Sequence, residues 1–134
     1  MNLSIEFISM TNVNIHEEHR NDDSSLLFQC LHSDNALTEK QIRDILGKYS
    51  VEEIRSWSRL GHPLFHEAGH QSGEGARIVW EIVLENPEFQ KLVVDSTYKD
   101  KYGKTALQRL REQTFKHHRC FAWKSKVLEE SKTW

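Results

Sequence analysis

Three things are missing from this chain, and each absence narrows what it can be. Its two cysteines, Cys30 and Cys120, form neither a CxxC pair nor a dense framework, which speaks against a disulfide-stapled domain. No long apolar run occurs, and Met1-Asn2-Leu3 is followed by no basic stretch, so neither a secretory leader nor a membrane span is expected. Charge of one sign is missing too: the net charge is −2, so bulk electrostatics draw the chain to neither nucleic acid nor membrane. A soluble protein of a reducing compartment, cytoplasmic or otherwise intracellular, is the expectation.

What remains is polar but foldable. Hydrophobic residues make up 37% and charged residues 28% of the 134 positions, enough for one domain with a sizeable core. Thin repeat proteins read this way, because each layer has much surface for its volume.

Leu3, Ile5 and Phe7 alternate with Ser4 and Glu6, predicting a short strand or extended cap, and His16 to Asp23 reads as a charged loop. Ser25 is placed to cap a helix bearing Leu26, Leu27, Cys30 and Leu31, which Ser33-Asp34-Asn35 ends. Thr38 with Gln41 forms a capping box for a helix carrying Ile42, Ile45 and Leu46 that Gly47 closes. Ser50 with Glu53 forms another, for a short helix lined by Val51, Ile54 and Trp57.

The same unit then returns. Pro63 to His70 is a helix with Leu64, Phe65 and Ala68 inward, and Gln71 to Gly75 is its turn, with Gly73 and Gly75 as permissive positions. Ala76 to Glu85 is the second helix, lined by Ile78, Val79, Ile82 and Val83; Asn86 caps a third, with Pro87 first and Phe89, Leu92 and Val93 inward. After Gly103, Thr105 caps a helix with Ala106, Leu107 and Leu110, and a last helix covers about His118 to Glu130, showing Phe121, Trp123, Val127 and Leu128. Leu27, Leu64 and Leu107 mark three units, at intervals near the ~33 residues of the ankyrin unit and the ~34 to ~47 of other helical repeats. The pattern predicts an all-α single domain, 1–134. Its units are about 24–60, 61–100 and 101–134, behind an N-terminal cap 1–23.

Within that pattern, Tyr98-Lys99-Asp100-Lys101-Tyr102-Gly103-Lys104-Thr105-Ala106-Leu107 resembles the ankyrin turn D-x-x-G-x-T-x-L. His62-Pro63-Leu64 followed by Ala68 is similar to T-P-L-H-x-A-A, and Ala76 to Asn86 is similar to the family's second helix. His62 stands where the family has a capping Thr, Leu60 falls where it has a glycine, and Ser24-Ser25-Leu26-Leu27 keeps almost nothing of the motif. The resemblance covers about half of the chain. It implies a curved helical stack that binds another protein, as adaptor or inhibitor, with no catalysis and no cofactor of its own. Such stacks bind through loop tips and the inner face of the first helices, which nominates Trp57, Arg59, His62, Tyr98, Lys99 and Tyr102, types that anchor interfaces.

His66-Glu67-Ala68-Gly69-His70 offers a different class of function. HExxH puts two imidazoles one turn apart to share a zinc ion, with the glutamate as base of a hydrolase, and Gly73 extends the match to HExxHxxG. Ala76 stands where the longer pattern needs its third histidine, and no strand is evident beside this helix to align a substrate. Leu64, Phe65 and Ala68 define an inward face that turns His66 and His70 outward, so the metal reading stays second. His16 and His19 flank Glu17-Glu18 in the charged loop and are read as solvated. A third reading is nucleic-acid binding by Lys116, His117, His118, Arg119, Lys124 and Lys126, with Phe121 and Trp123 between them. A terminal helix with snorkelling cations is preferred to it.

Overall fold

A computed structural model of the chain describes residues 21–33, 37–116 and 122–134. The strand expected at Leu3–Phe7, the His16–His19 pair and much of the basic cluster, including His117, His118 and Arg119, lie outside those residues.

The fold is all-α. Eight helices are described: α1 (Asp22–His32), α2 (Glu39–Lys48), α3 (Val51–Ser56), α4 (Leu64–His70), α5 (Glu74–Glu85), α6 (Pro87–Val93), α7 (Ala106–Lys116) and α8 (Ala122–Glu130), the last followed by a 3₁₀ turn, Ser131–Thr133. Between α3 and α4 a hairpin pairs β1 (Ser58–Arg59) with β2 (His62–Pro63) in antiparallel register, Arg59 opposite His62. Among the described residues no helix is long and apolar enough to cross a membrane.

Local chemistry sets most boundaries. Thr38 and Gln41 close a reciprocal capping box at the start of α2, and Ser50 and Glu53 do so for α3. Asn86 Oδ1 accepts from the backbone of Glu88 and Phe89 with Pro87 in the first turn of α6. Thr105 and Gln108 exchange the same pair of bonds at the start of α7. The first helix departs from expectation. Its cap is Asn21 rather than Ser25, because Asn21 Oδ1 accepts from Ser24 N while Ser24 Oγ accepts from Asn21 N, both at 2.8 Å. Asp22 and Asp23 therefore belong to a helical first turn, where the helix dipole favours them, and not to a loop. Phe28 is buried in place of Leu26, which is half out.

α5 is the axis of the molecule, packed against α1, α2, α4, α6 and α8. Ile78, Val79, Trp80, Ile82 and Val83 are all buried on it, so it is apolar over most of its circumference, as a central helix must be. α1 also touches α4, and α4 makes its most extensive contact with α7. Two glycines permit these approaches. A Cβ on Gly69 would meet Leu110 N at 3.0 Å and Ala106 O at 3.1 Å across the α4–α7 contact. Gly75, expected in a turn, is a helical residue of α5 seated on the Cys30 carbonyl of α1.

α4 is the largest correction. It is buried all round except at His70, and His66 is only 1% exposed. The wheel that turns His66 outward assumes one buried face, whereas α4 is enclosed by α1, α5 and α7 and by the loop before α7. The hairpin beside it was not expected either, since two-residue strands carry no alternation to detect.

Candidate functional site

Two loops project next to one another. The first is the hairpin, whose two-residue turn is Leu60-Gly61, with φ of +55° and +84°, the sign pattern of a type I′ turn. A leucine in the left-handed region costs roughly 1–2 kcal/mol. Its side chain gains nothing from burial here, being 61% exposed. Leu60→Asn is therefore expected to raise stability by about 1 kcal/mol in urea unfolding, because asparagine tolerates this conformation.

The second loop runs from Asp95 to Thr105. The Thr97 hydroxyl and backbone N–H, together with Arg55, hold the Asp95 carboxyl down to about 2. Asp100 Oδ1 then accepts from Tyr102 N and Lys104 N, both at 3.0 Å, and Gly103 closes the turn at φ +77°. The loops are joined by Lys101 N donating to Gly61 O at 3.2 Å. From below, the buried His66 Nε2–H donates to Lys104 O at 2.8 Å, and its ring meets Tyr98 edge-on at 4.7 Å. Burial pushes the His66 imidazole down to about 4, so the ring is neutral and its Nε2 carries the proton.

Beneath the loops lies an open cleft of about 320 Å³, lined by His32, His62, Glu67, His70, Gln71, Tyr102 and Arg109. Glu67 Oε2 accepts from His32 Nε2 at 2.8 Å and from Gln71 Nε2 at 3.1 Å, tying α4 to α1. Arg109 reaches the fully buried Asp100 Oδ2 with its Nε at 3.4 Å and lies over the Tyr102 ring. Its Nη2 donates to His70 Nδ1 at 3.2 Å. Burial and then the Arg109 charge lower the His70 pKa, and burial lowers that of His62. None of the lining residues is a serine, threonine or cysteine.

This geometry separates the HExxH residues. His66 points into the protein against a carbonyl, His70 toward Arg109, and Glu67 is held by α1. No group of three His, Cys, Asp or Glu side chains among the described residues could hold a metal ion. Of the residues nominated as partner contacts, Trp57 and Tyr98 are each 4% exposed. Trp57 packs edge-on against Tyr49 at 5.0 Å, and the Tyr98 hydroxyl accepts from Phe65 N at 3.5 Å. Both belong to the core. Lys99 and Tyr102 are exposed, Arg59 and His62 half-buried, and the loops bring the His62 and Tyr102 rings to 5.9 Å.

Sequence reasoning passed over Leu60, Lys101, His32, Gln71 and Arg109. Only Leu60 carried a signal, as a leucine where the resemblance asks for glycine. Of the basic cluster, Lys126 is exposed, whereas Lys124 is 1% exposed, its Nζ donates to Ser72 Oγ at 3.2 Å, and burial lowers its pKa to about 8. Lys124 itself therefore offers no surface to phosphate. Compared with protein-family models, curated proteins and solved structures, the chain has no match.

Proposed function

We propose that this chain is a protein-interaction module, an adaptor or inhibitor, built as an ankyrin-like stack of three helix pairs. The helix neighbours support the stack: α1 touches α4 and α4 touches α7, while α2 touches α5 and α5 touches α8, the relation that first and second helices of successive units have when stacked. The bond from Lys101 N to Gly61 O supports it as well, since it links the loops that would precede the second and third units.

The observation that carries the binding role is at the loop tips. Among the described residues the large apolar side chains left exposed are Leu26, Leu60 and Tyr102. Two of these three sit on adjoining loops above the polar cleft, where a partner would cover them together. A zinc hydrolase lacks support, because His66 and His70 do not face a common point.

Selection of peptides from a displayed random library tests the role. The expected ligands shift backbone amide resonances at Leu60, His62, Lys99 and Tyr102, and Tyr102→Ala weakens them by about 1–2 kcal/mol. Ligands that bind only on the α2–α5–α8 side would contradict it.

A further inference from the structure

The charge arrangement around the loops specifies the chemistry of the partner. The carboxylates of the cleft and of the Asp95–Thr105 loop, with Glu112 beside them, are already engaged. Asp100 is buried against Arg109 and its own backbone, and Glu67 is held by His32 and Gln71. Glu112 is taken by Lys104 and Arg109, and Asp95 by Arg55 and Thr97. The cations are not balanced in this way: Arg59, Lys99 and Lys101 make no ion pair among the described residues. Lys101 Nζ instead lies 5.6 Å from the Tyr102 ring centroid.

We propose that the two loops bind an acidic segment of a partner protein, one whose Asp or Glu side chains meet Arg59, Lys99 and Lys101 while an apolar side chain between them packs on Leu60 and Tyr102. The proposal rests on the interaction-module reading and adds the class of ligand. Two observations favour such a segment over a nucleic acid. Leu60, held in a conformation costly for a leucine, has no complement on a phosphate backbone. The net charge of −2 gives a long polyanion no general attraction. Alternating charge and apolar contact at two adjacent tips suits a short peptide, with charge steering the encounter and apolar burial holding it.

The test uses the full chain with three probes at low salt: a peptide of alternating Glu and Leu, a peptide of alternating Lys and Leu, and a single-stranded oligothymidylate. Binding is followed by amide shifts and titration calorimetry. The expected result is that the Glu/Leu peptide shifts residues 59–62 and 99–104 and weakens as salt rises. Lys101→Glu and Arg59→Glu should each lower its affinity by roughly tenfold. Leu60→Asn, which keeps the turn and all cations, should weaken it without changing the salt dependence. Unaltered amide shifts elsewhere show that each variant is folded. Equal or tighter binding of the Lys/Leu peptide at the same loops would overturn the acidic class and leave the module reading standing. Oligothymidylate shifting the same amides with comparable affinity would overturn it in favour of a polyanion site. If neither peptide shifts the loops, the acidic class is overturned, while the module reading is decided separately by the displayed-library selection.

Discussion

Gly75→Ala destabilises the protein by about 3 kcal/mol, or prevents its folding, although alanine is the better helix former by ~1 kcal/mol. The added Cβ would lie 2.5 Å from the Cys30 carbonyl oxygen, 3.1 Å from its carbon and 3.2 Å from its sulfur. Two of the three atoms are backbone, so no rotamer change relieves the clash. α5 would have to retreat from α1, and since α5 also packs α2, α4, α6 and α8, the displacement reaches the whole core. Gly47 is the matched control. It too is helical, in α2, but nothing lies within 4 Å of its Cβ position, so Gly47→Ala should stabilise by up to ~1 kcal/mol. Urea unfolding of the two variants should therefore move in opposite directions. Equal shifts would show that α1 and α5 are not in such close contact.

His66 makes the second large effect, through pH. Its ordinary pKa of 6.5 falls to about 4 in the folded chain, chiefly by burial, while the bond to Lys104 and the nearby Asp100 charge act the other way. Above pH 6.5 the ring is neutral folded and unfolded, and its full contribution to stability is present. As pH falls from 6.5 toward 4 the unfolded chain takes up a proton that the folded chain refuses, so stability declines. At ~1.4 kcal/mol per pH unit the loss reaches roughly 3 kcal/mol. His62 and His70, whose pKa values are also lowered, add to the fall in the same direction. His66→Gln keeps an N–H for the Lys104 carbonyl but cannot titrate. It should be less stable than the parent near neutrality and lose less on acidification, so that urea midpoints converge toward pH 4. Parallel pH profiles would place the His66 ring in water.

Most local signals in the sequence are reliable, the Asn21–Ser24 box of α1 being the one passed over, and distant partners are invisible to it. The capping boxes Thr38–Gln41 and Ser50–Glu53, the Asn86-Pro87 start and the Thr105 cap each depend on residues within one turn, and α2, α3, α6 and α7 begin where those residues put them. His66 depends on a carbonyl 38 residues away, so its helical wheel alone turned it outward. Gly75 looks like a turn residue until α1 is placed against it. Trp57 and Tyr98 have the composition of interface anchors, yet aromatic rings fill cores as readily, and only the packing of Tyr49, Phe65 and His66 decides which. Lys124 reads as surface because lysine is rarely buried. The cleft could not be assembled in advance, since it draws on α1, β2, α4, the Asp95–Thr105 loop and α7 at once.

The histidine-bearing helix α4 is part of the core, with His66 inside it holding the second loop in place. Nitrogen chemical shifts of the His66 imidazole, followed through a pH titration with and without added zinc, test this most directly. The ring should be neutral and protonated on Nε2, unmoved by zinc, and should titrate only near pH 4. A ring that titrates near 6.5, or whose nitrogens shift together with those of His70 when zinc is added, would contradict it.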